Sequence, residues 1–189
     1  MIELLEVFTA FGLSASAGLN AYIPLLVVAL LAKFTDLLTL RPPWDALESC
    51  WIIGLLVVLS LIEFFADKVP AVNHINDLIQ TFVRPTAGAI AFAASANVIT
   101  DVHPVLSLGL GLLVAGGVHA VKTLAVRPAV TATTGGAGNV PVSIAEDVIS
   151  TVLSILAVVV PVIIACVLVL VTAYIIWRWY RHTRRLNAA

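Results

Sequence analysis

Four groups of polar and ionisable residues stand at helical spacings. Glu63 and Asp67 are four residues apart, so both carboxylates share one helix face, with Lys68 beside them. Like charges at that spacing repel, and near a membrane one of them is expected to hold a proton or share a cation. That is the chemistry of an ion or proton site. The plain alternative is a helix end at the interface, with Lys68 and Arg84 as partners. His74 and Asp77 could reach one ligand, and with Glu63 or Asp67 they make a carboxylate–imidazole set suited to several divalent metals. No metal-motif spacing fixes that set, and a solvated face of an interfacial helix accounts for the same residues. In the third group, His119, Lys122 and Arg127, Lys122 either snorkels from an apolar helix end or pairs with Glu63 or Asp67 along a substrate path. The fourth group is Ser143, Glu146, Asp147, Ser150 and Ser154. Ser143-Ile144-Ala145-Glu146 reads as a capping box, which leaves Asp147 unexplained. The glycines of Thr134-Gly135-Gly136-Ala137-Gly138-Asn139 could form a nest of N–H groups for an anion at that helix start. The segment lacks Walker spacing, and a flexible loop is the simpler reading.

These groups define a candidate ion or substrate path of Glu63, Asp67, Lys68, His74, Asp77, Arg84, Lys122, Arg127, Asn139, Glu146 and Asp147. Glu63, Asp67, His74 and Asp77 are the candidates for a divalent metal. No Gly-x-Ser-x-Gly elbow and no His-x-x-x-His pair is present, so no catalytic residue is singled out. Ser14 and Ser16 read as small packing residues. Cys50 and Cys166, far apart in apolar surroundings, read as buried small hydrophobes rather than a disulfide or metal pair.

The elements that must carry these residues are apolar. Of 189 residues 61% are hydrophobic and 11% charged, with a mean hydropathy of +1.09. Soluble domains are about 45–50% apolar and about 25% charged, so the surplus is expected to face lipid. A net charge of -1 excludes a nucleic-acid partner, because no basic domain exists to neutralise phosphates. The acidic start, Glu3 and Glu6, is unlike a secretory signal, so the first apolar segment is expected to persist.

A helix needs about 20 apolar residues to span a bilayer. Val7–Ala32 is the first candidate, interrupted by small residues around Asn20 and by Pro24, and is either one span or a hairpin. Cys50–Phe65 is the second. Ala71–Val83 alternates polar and apolar faces as an amphipathic helix, lying at the interface or re-entering the protein. Pro85–Thr100 and Val105–Val121 are the third and fourth spans, and Ser143–Trp177 the longest run. The expected fold is an all-α polytopic transmembrane bundle of 5–6 spans with broken or re-entrant segments, over residues 1–177. Residues 178–189 form a basic tail. Arg178, Arg181, Arg184 and Arg185 place that tail in the cytoplasm, with Trp177, Trp179 and Tyr180 as its aromatic belt. Counting back through five spans puts the N-terminus outside; a hairpin at the first segment would put it inside. Ser16–Ala21 echoes Thr86–Ala91, a candidate internal repeat of the kind transporters carry.

These segments resemble a bacterial membrane-protein family called domain of unknown function 4126. The resemblance rests on Ser14–Pro24, on Glu63-Phe64-Phe65-Ala66-Asp67-Lys68-Val69-Pro70, on His74–Gly88 with Arg84-Pro85-Thr86-Ala87-Gly88-Ala89, and on Gly138–Asp147. It covers nearly all of the chain except the tail, and implies that these polar segments are a shared signature; the family name implies no activity. The expected function is a transporter or channel for a small ion or polar solute in a bacterial cytoplasmic membrane, proton- or cation-coupled through its carboxylates. The partners expected are the bilayer, the solute and a second copy of the chain docked through small-residue faces. The rival expectations are an intramembrane metal-dependent or lipid-handling enzyme, and a scaffold held together by ion pairs.

Overall fold

The computed structural model describes residues 2–68, 70–96 and 103–159; the side chains of residues 2–5 and 70–74 fall outside that description. The described residues are helical, without strands. In chain order the elements are α1 (Ile2–Leu19), α2 (Tyr22–Phe34), a 3-10 turn (Trp44–Glu48), α3 (Cys50–Ala66), α4 (Pro70–Ala96), α5 (Pro104–Val121), a π turn (Lys122–Val126), α6 (Arg127–Thr134) and α7 (Asn139–Val159). The continuous helix Pro104–Thr134 and α7 are each long and apolar enough to cross a membrane, which points to membrane association. Residues beyond 159, with Cys166 and the basic tail, lie outside the described residues, as do 97–102 between the third and fourth expected spans.

Val7–Ala32 is two helices, and the chain reverses between them. Asn20 ends α1, its Oδ1 accepting the Tyr22 and Ile23 N–H groups at 3.1 Å each and so capping α2. Pro24, in the first turn of α2, has no N–H with which to continue α1 through the Asn20 carbonyl. The contacts fix the directions. Along α1, Gly12 faces Ala157, Ser16 bonds Ser150 and Asn20 bonds Asp147, so α1 is antiparallel to α7. Ala21 meets Glu63 while Lys33 meets Cys50, so α2 is antiparallel to α3. Glu6 and Thr9 of α1 line one cavity with Leu38 and Thr39, which follow α2. The two helices therefore form a hairpin with its tip at Asn20–Ala21. Of the two readings of this segment, one span or a hairpin, the contacts form the hairpin, and the single-helix reading is corrected.

A second correction concerns α4. The expected amphipathic helix and third span are one helix, with Pro85 inside it. Proline removes a single intrahelical bond, and packing against α1 and α5 carries the helix through. The packing rests on small residues. A Cβ at Gly111 would sit 2.5 Å from the Gly88 carbonyl, and one at Gly18 would sit 2.6 Å from the Ala115 carbonyl. These small residues pack within the chain. Gly54, Gly109 and Gly117 face open space.

Burial is inverted relative to a soluble protein. α1 hides Ser14, Ser16, Ala17 and Asn20, and Arg84 and Glu63 are among the most buried side chains described. Outside stand Trp51 (90% exposed), Phe34, Leu61, Phe65, Phe82, Leu113 and Leu124. On α3 only Leu56 and Glu63 are buried, although the helix is apolar all round. Cys50, expected to be buried, is exposed at the start of α3, where Lys33 Nζ donates to its Sγ at 3.0 Å.

Candidate functional site

The tip of the α1–α2 hairpin is where the charged residues meet. Breaking a helix leaves carbonyls unpaired at one end and N–H groups at the other. Here buried side chains satisfy both. Lys122 Nζ donates to the Leu19 carbonyl at 3.1 Å, at the negative end of α1. Glu63 Oε2 accepts the Ala21 N–H at 3.1 Å, at the positive end of α2. The Asn20 side chain caps α2 and donates to Asp147 Oδ1 at 2.9 Å.

From Glu63 and Lys122 the ion pairs run on through Arg84, Asp67, Arg127 and Glu146, while Lys68 and Asp147 form a separate pair beside them. Arg84 reaches Glu63 Oε1 through Nη2 at 2.8 Å and Nε at 3.1 Å. Asp67 Oδ2 is a hub, with Arg127 Nη2 at 3.4 Å, Arg84 Nη2 at 3.5 Å, Lys122 Nζ at 3.7 Å and Ser143 Oγ at 3.4 Å. Its other oxygen accepts from Asn76 at 2.6 Å. Glu146 Oε2 takes Lys122 at 2.8 Å and Arg127 at 3.1 Å. Lys68 pairs with Asp147 at 3.0 Å and lies over the Phe64 ring. The carboxylates of Glu63, Asp67, Glu146 and Asp147 thus face the cations of Lys68, Arg84, Lys122 and Arg127 in equal number. Burying such charges costs several kcal/mol for each ion unless they are paired, and here each is paired.

Local structure explains how residues from separate helices register. Lys122 and Arg127 are five apart and would diverge on an α-helix, but the i→i+5 spacing of the π turn brings both onto one face. Pro128, which follows, favours that widening because it cannot donate to the preceding turn. On α4, Asn76, Gln80 and Arg84 recur every four residues as one buried row. His119 continues the chain of bonds, with Nδ1 3.2 Å from Arg84 Nη1 and Nε2 3.2 Å from Thr81 Oγ1. The guanidinium can only donate, so Nδ1 accepts and Nε2 carries the proton toward Thr81.

Not every buried polar atom is satisfied. Among the described residues, Arg127 Nε and Nη1, Gln80 Oε1 and Asp77 Oδ1 have no hydrogen-bond partner. Buried polar groups are nearly always paired, with protein or with water, so these mark places for a polar guest.

Of the residues picked out by spacing, Glu63, Asp67, Arg84, Lys122, Arg127 and Glu146 come together in this network, and Lys68 and Asp147 pair beside it, Asp147 held by Asn20. The Lys122–Asp67 pair forms; Lys122 does not pair with Glu63. Asp77 stands half-buried at the edge, without an ion pair among the described residues. His74 lies outside the described side chains, and among the described residues no three His, Cys, Asp or Glu side chains gather as a metal site.

Asn139 is elsewhere, bonding Thr131 at the exposed start of α7. The nest reading of its loop is corrected for three of its donors: the N–H groups of Ala137, Gly138 and Asn139 bond Thr134 O, Thr134 Oγ1 and Gly136 O. The capping box is corrected too. α7 begins at Asn139, four residues before Ser143, so Ser143 and Glu146 point from inside the helix to Asp67 and to Lys122 with Arg127.

Asn20 and Asn76 as direct partners of Asp147 and Asp67 were not foreseen from sequence. Neither was the ladder joining Ser16 to Ser150 and Ser154 at 2.8 and 2.7 Å, which makes Ser16 more than a packing residue. The every-four row on α4, continued beyond Pro85 by Gly88 and Phe92, was the available signal for Asn76.

The chain belongs to the family described as a domain of unknown function, DUF4126, whose model matches residues 7–181. No curated protein and no solved structure matches it.

Proposed function

We propose that this DUF4126 member is a polytopic protein of the bacterial cytoplasmic membrane that moves a small ion or polar solute, coupled to protons or cations through its buried carboxylates. One observation carries the reading: a continuous ion-pair network at the tip of a helix hairpin, inside a bundle with an apolar outer surface. A lipid-facing exterior with a charged interior suits a bilayer, where ionisable groups face the interior and mark solute or proton routes. Broken helices whose ends meet charge are a recurring device of transporters. The hairpin supports six up-and-down segments, with the side of residue 2, the Thr35–Ser49 connection and the C-terminal tail in the cytoplasm. The network then lies toward the outer side.

Asp67 is the coupling element in this reading. It meets Arg84, Lys122 and Arg127 at 3.4 to 3.7 Å, whereas Glu63 holds Arg84 at 2.8 Å. A proton or metal cation on Asp67 would loosen those contacts. The surplus positive charge would then draw in an anion or part α4 from the π turn. The unpartnered atoms of Arg127, Asp77 and Gln80 would bind the solute or its water on the way.

The test is flux of small ions and of protons into proteoliposomes. Wild type is expected to show a flux that responds to a pH gradient; Glu63→Gln loses it, and Asp67→Asn keeps binding but loses the pH response. Unchanged flux in both variants, with lowered thermal stability, would leave a scaffold role instead.

A further inference from the structure

A groove of about 460 Å³ runs between α5, the π turn and α7. Its walls are apolar, with Val118, Val121, Val142 and Ile149 among them, and a Cβ at Gly117 on its rim would meet nothing within 4 Å. Val121 and Ile149 are exposed, so the groove opens on the apolar outer face. Its inner end is charged: Lys122 and Glu146 line it and pair at 2.8 Å. Such a volume lies within the range of about 300–1,000 Å³ typical of ligand sites, which combine apolar walls with a few fixed polar groups.

The two ends ask for different chemistry. Both ion pairs of Glu146 run through Oε2, which leaves Oε1 outside the network's bonds. Lys122 already donates to the Leu19 carbonyl and pairs with Glu146 and, at 3.7 Å, with Asp67. Among the described residues no hydrogen bond reaches Oε1, so the paired carboxylate still offers an acceptor at the end of the apolar groove. Hydrocarbon has no donor for it, and leaving a polar group unpaired there costs several kcal/mol. An occupant that fits both ends has an apolar chain and a hydrogen-bond-donating head.

We propose that this groove binds a single-chain amphiphile from the bilayer, its chain along α5 and α7 and its amine or hydroxyl head donating to Glu146 Oε1. The site rests on the membrane reading above but not on transport, since an occupant there could act on the network whether or not anything crosses it.

Photoactivatable octadecylamine, octadecanol and octadecanoate, each in phosphatidylcholine nanodiscs, test this; the choline head has no donor and does not compete. Labelled residues are mapped by mass spectrometry, and flux is not part of the readout. The amine and alcohol are expected to label Val121 and Ile149 and the carboxylate to label them weakly. Gly117→Phe, which fills the groove without touching the ion pairs, loses that labelling and leaves labelling around Trp51 on α3 unchanged. Glu146→Gln abolishes the preference for amine over carboxylate. Equal labelling by all three probes, or labelling that survives Gly117→Phe, would mean bulk lipid on an apolar wall and overturn the site. Should Glu146→Gln fail to fold, the Gly117→Phe comparison still decides it.

Discussion

Glu63 shows why the charges here are interdependent. It accepts from Arg84 twice and from the Ala21 N–H, with 1% of its surface exposed. Removing one partner of such a pair leaves an uncompensated buried charge, whereas removing both is often close to neutral. Glu63→Gln is therefore expected to lower stability by about 3–5 kcal/mol in denaturant unfolding of the detergent-solubilised protein. The double variant Glu63→Gln/Arg84→Met is expected to recover most of that loss. A double variant no better than the single one would mean that Arg84 is held by Asp67 and His119 instead. Asp67 is the opposite case. Its several longer contacts spread one negative charge over three cations, so a change in its own charge reaches α4, the π turn and α7 together.

At the scale of the helices, glycine placement separates what the bundle needs from what it tolerates. Gly111 lies where α5 crosses α4, and an added Cβ would meet Gly88 O at 2.5 Å and Phe92 Cβ at 2.6 Å. Gly111→Ala is expected to cost about 1–3 kcal/mol by overpacking. Gly109, two residues earlier on the open face, is expected to gain about 0.5–1 kcal/mol on change to Ala, from helix propensity alone. Thermal unfolding of both variants checks the contrast, and similar shifts would contradict the α4–α5 contact. The hairpin and the π turn are irregular for the same purpose. Each departs from the regular helix at the level where charge must be met, one exposing helix ends and the other aligning Lys122 with Arg127.

For the whole molecule, the hairpin sets which helix ends share a side. Cys50 is exposed at the start of α3, at the opposite end of that helix from Glu63 and Asp67. In the proposed orientation, which puts the Thr35–Ser49 connection in the cytoplasm, a membrane-impermeant maleimide is expected to label Cys50 only from that face. A Cys166→Ala background leaves Cys50 as the one thiol. A cysteine introduced at Glu6 is expected to label from the same face, because α1 and α2 run in opposite directions. Labelling of the two positions from opposite faces would restore a single first span and overturn the hairpin topology.

Composition and spacing by themselves determined that the chain is helical and too apolar to keep its large side chains inside. They also determined which charged residues share a helix face. Those properties are local: periodicity and hydrophobic surplus are visible one segment at a time. Glu63 with Asp67, and Glu146 with Asp147, were legible for that reason. Tertiary structure alone decided which faces meet. Asp67 is held by residues from α4, α7, the π turn and the start of α6, at sequence separations no local pattern encodes. It also decided that Ser143 and Glu146 bind charge rather than cap a helix, because α7 starts a turn earlier than their spacing implied. The reversal at Asn20 needed both. Asn20 and Pro24 supplied the break, but a broken helix can continue or turn back, and here the contacts of α1 with α7 and of α2 with α3 turn it back.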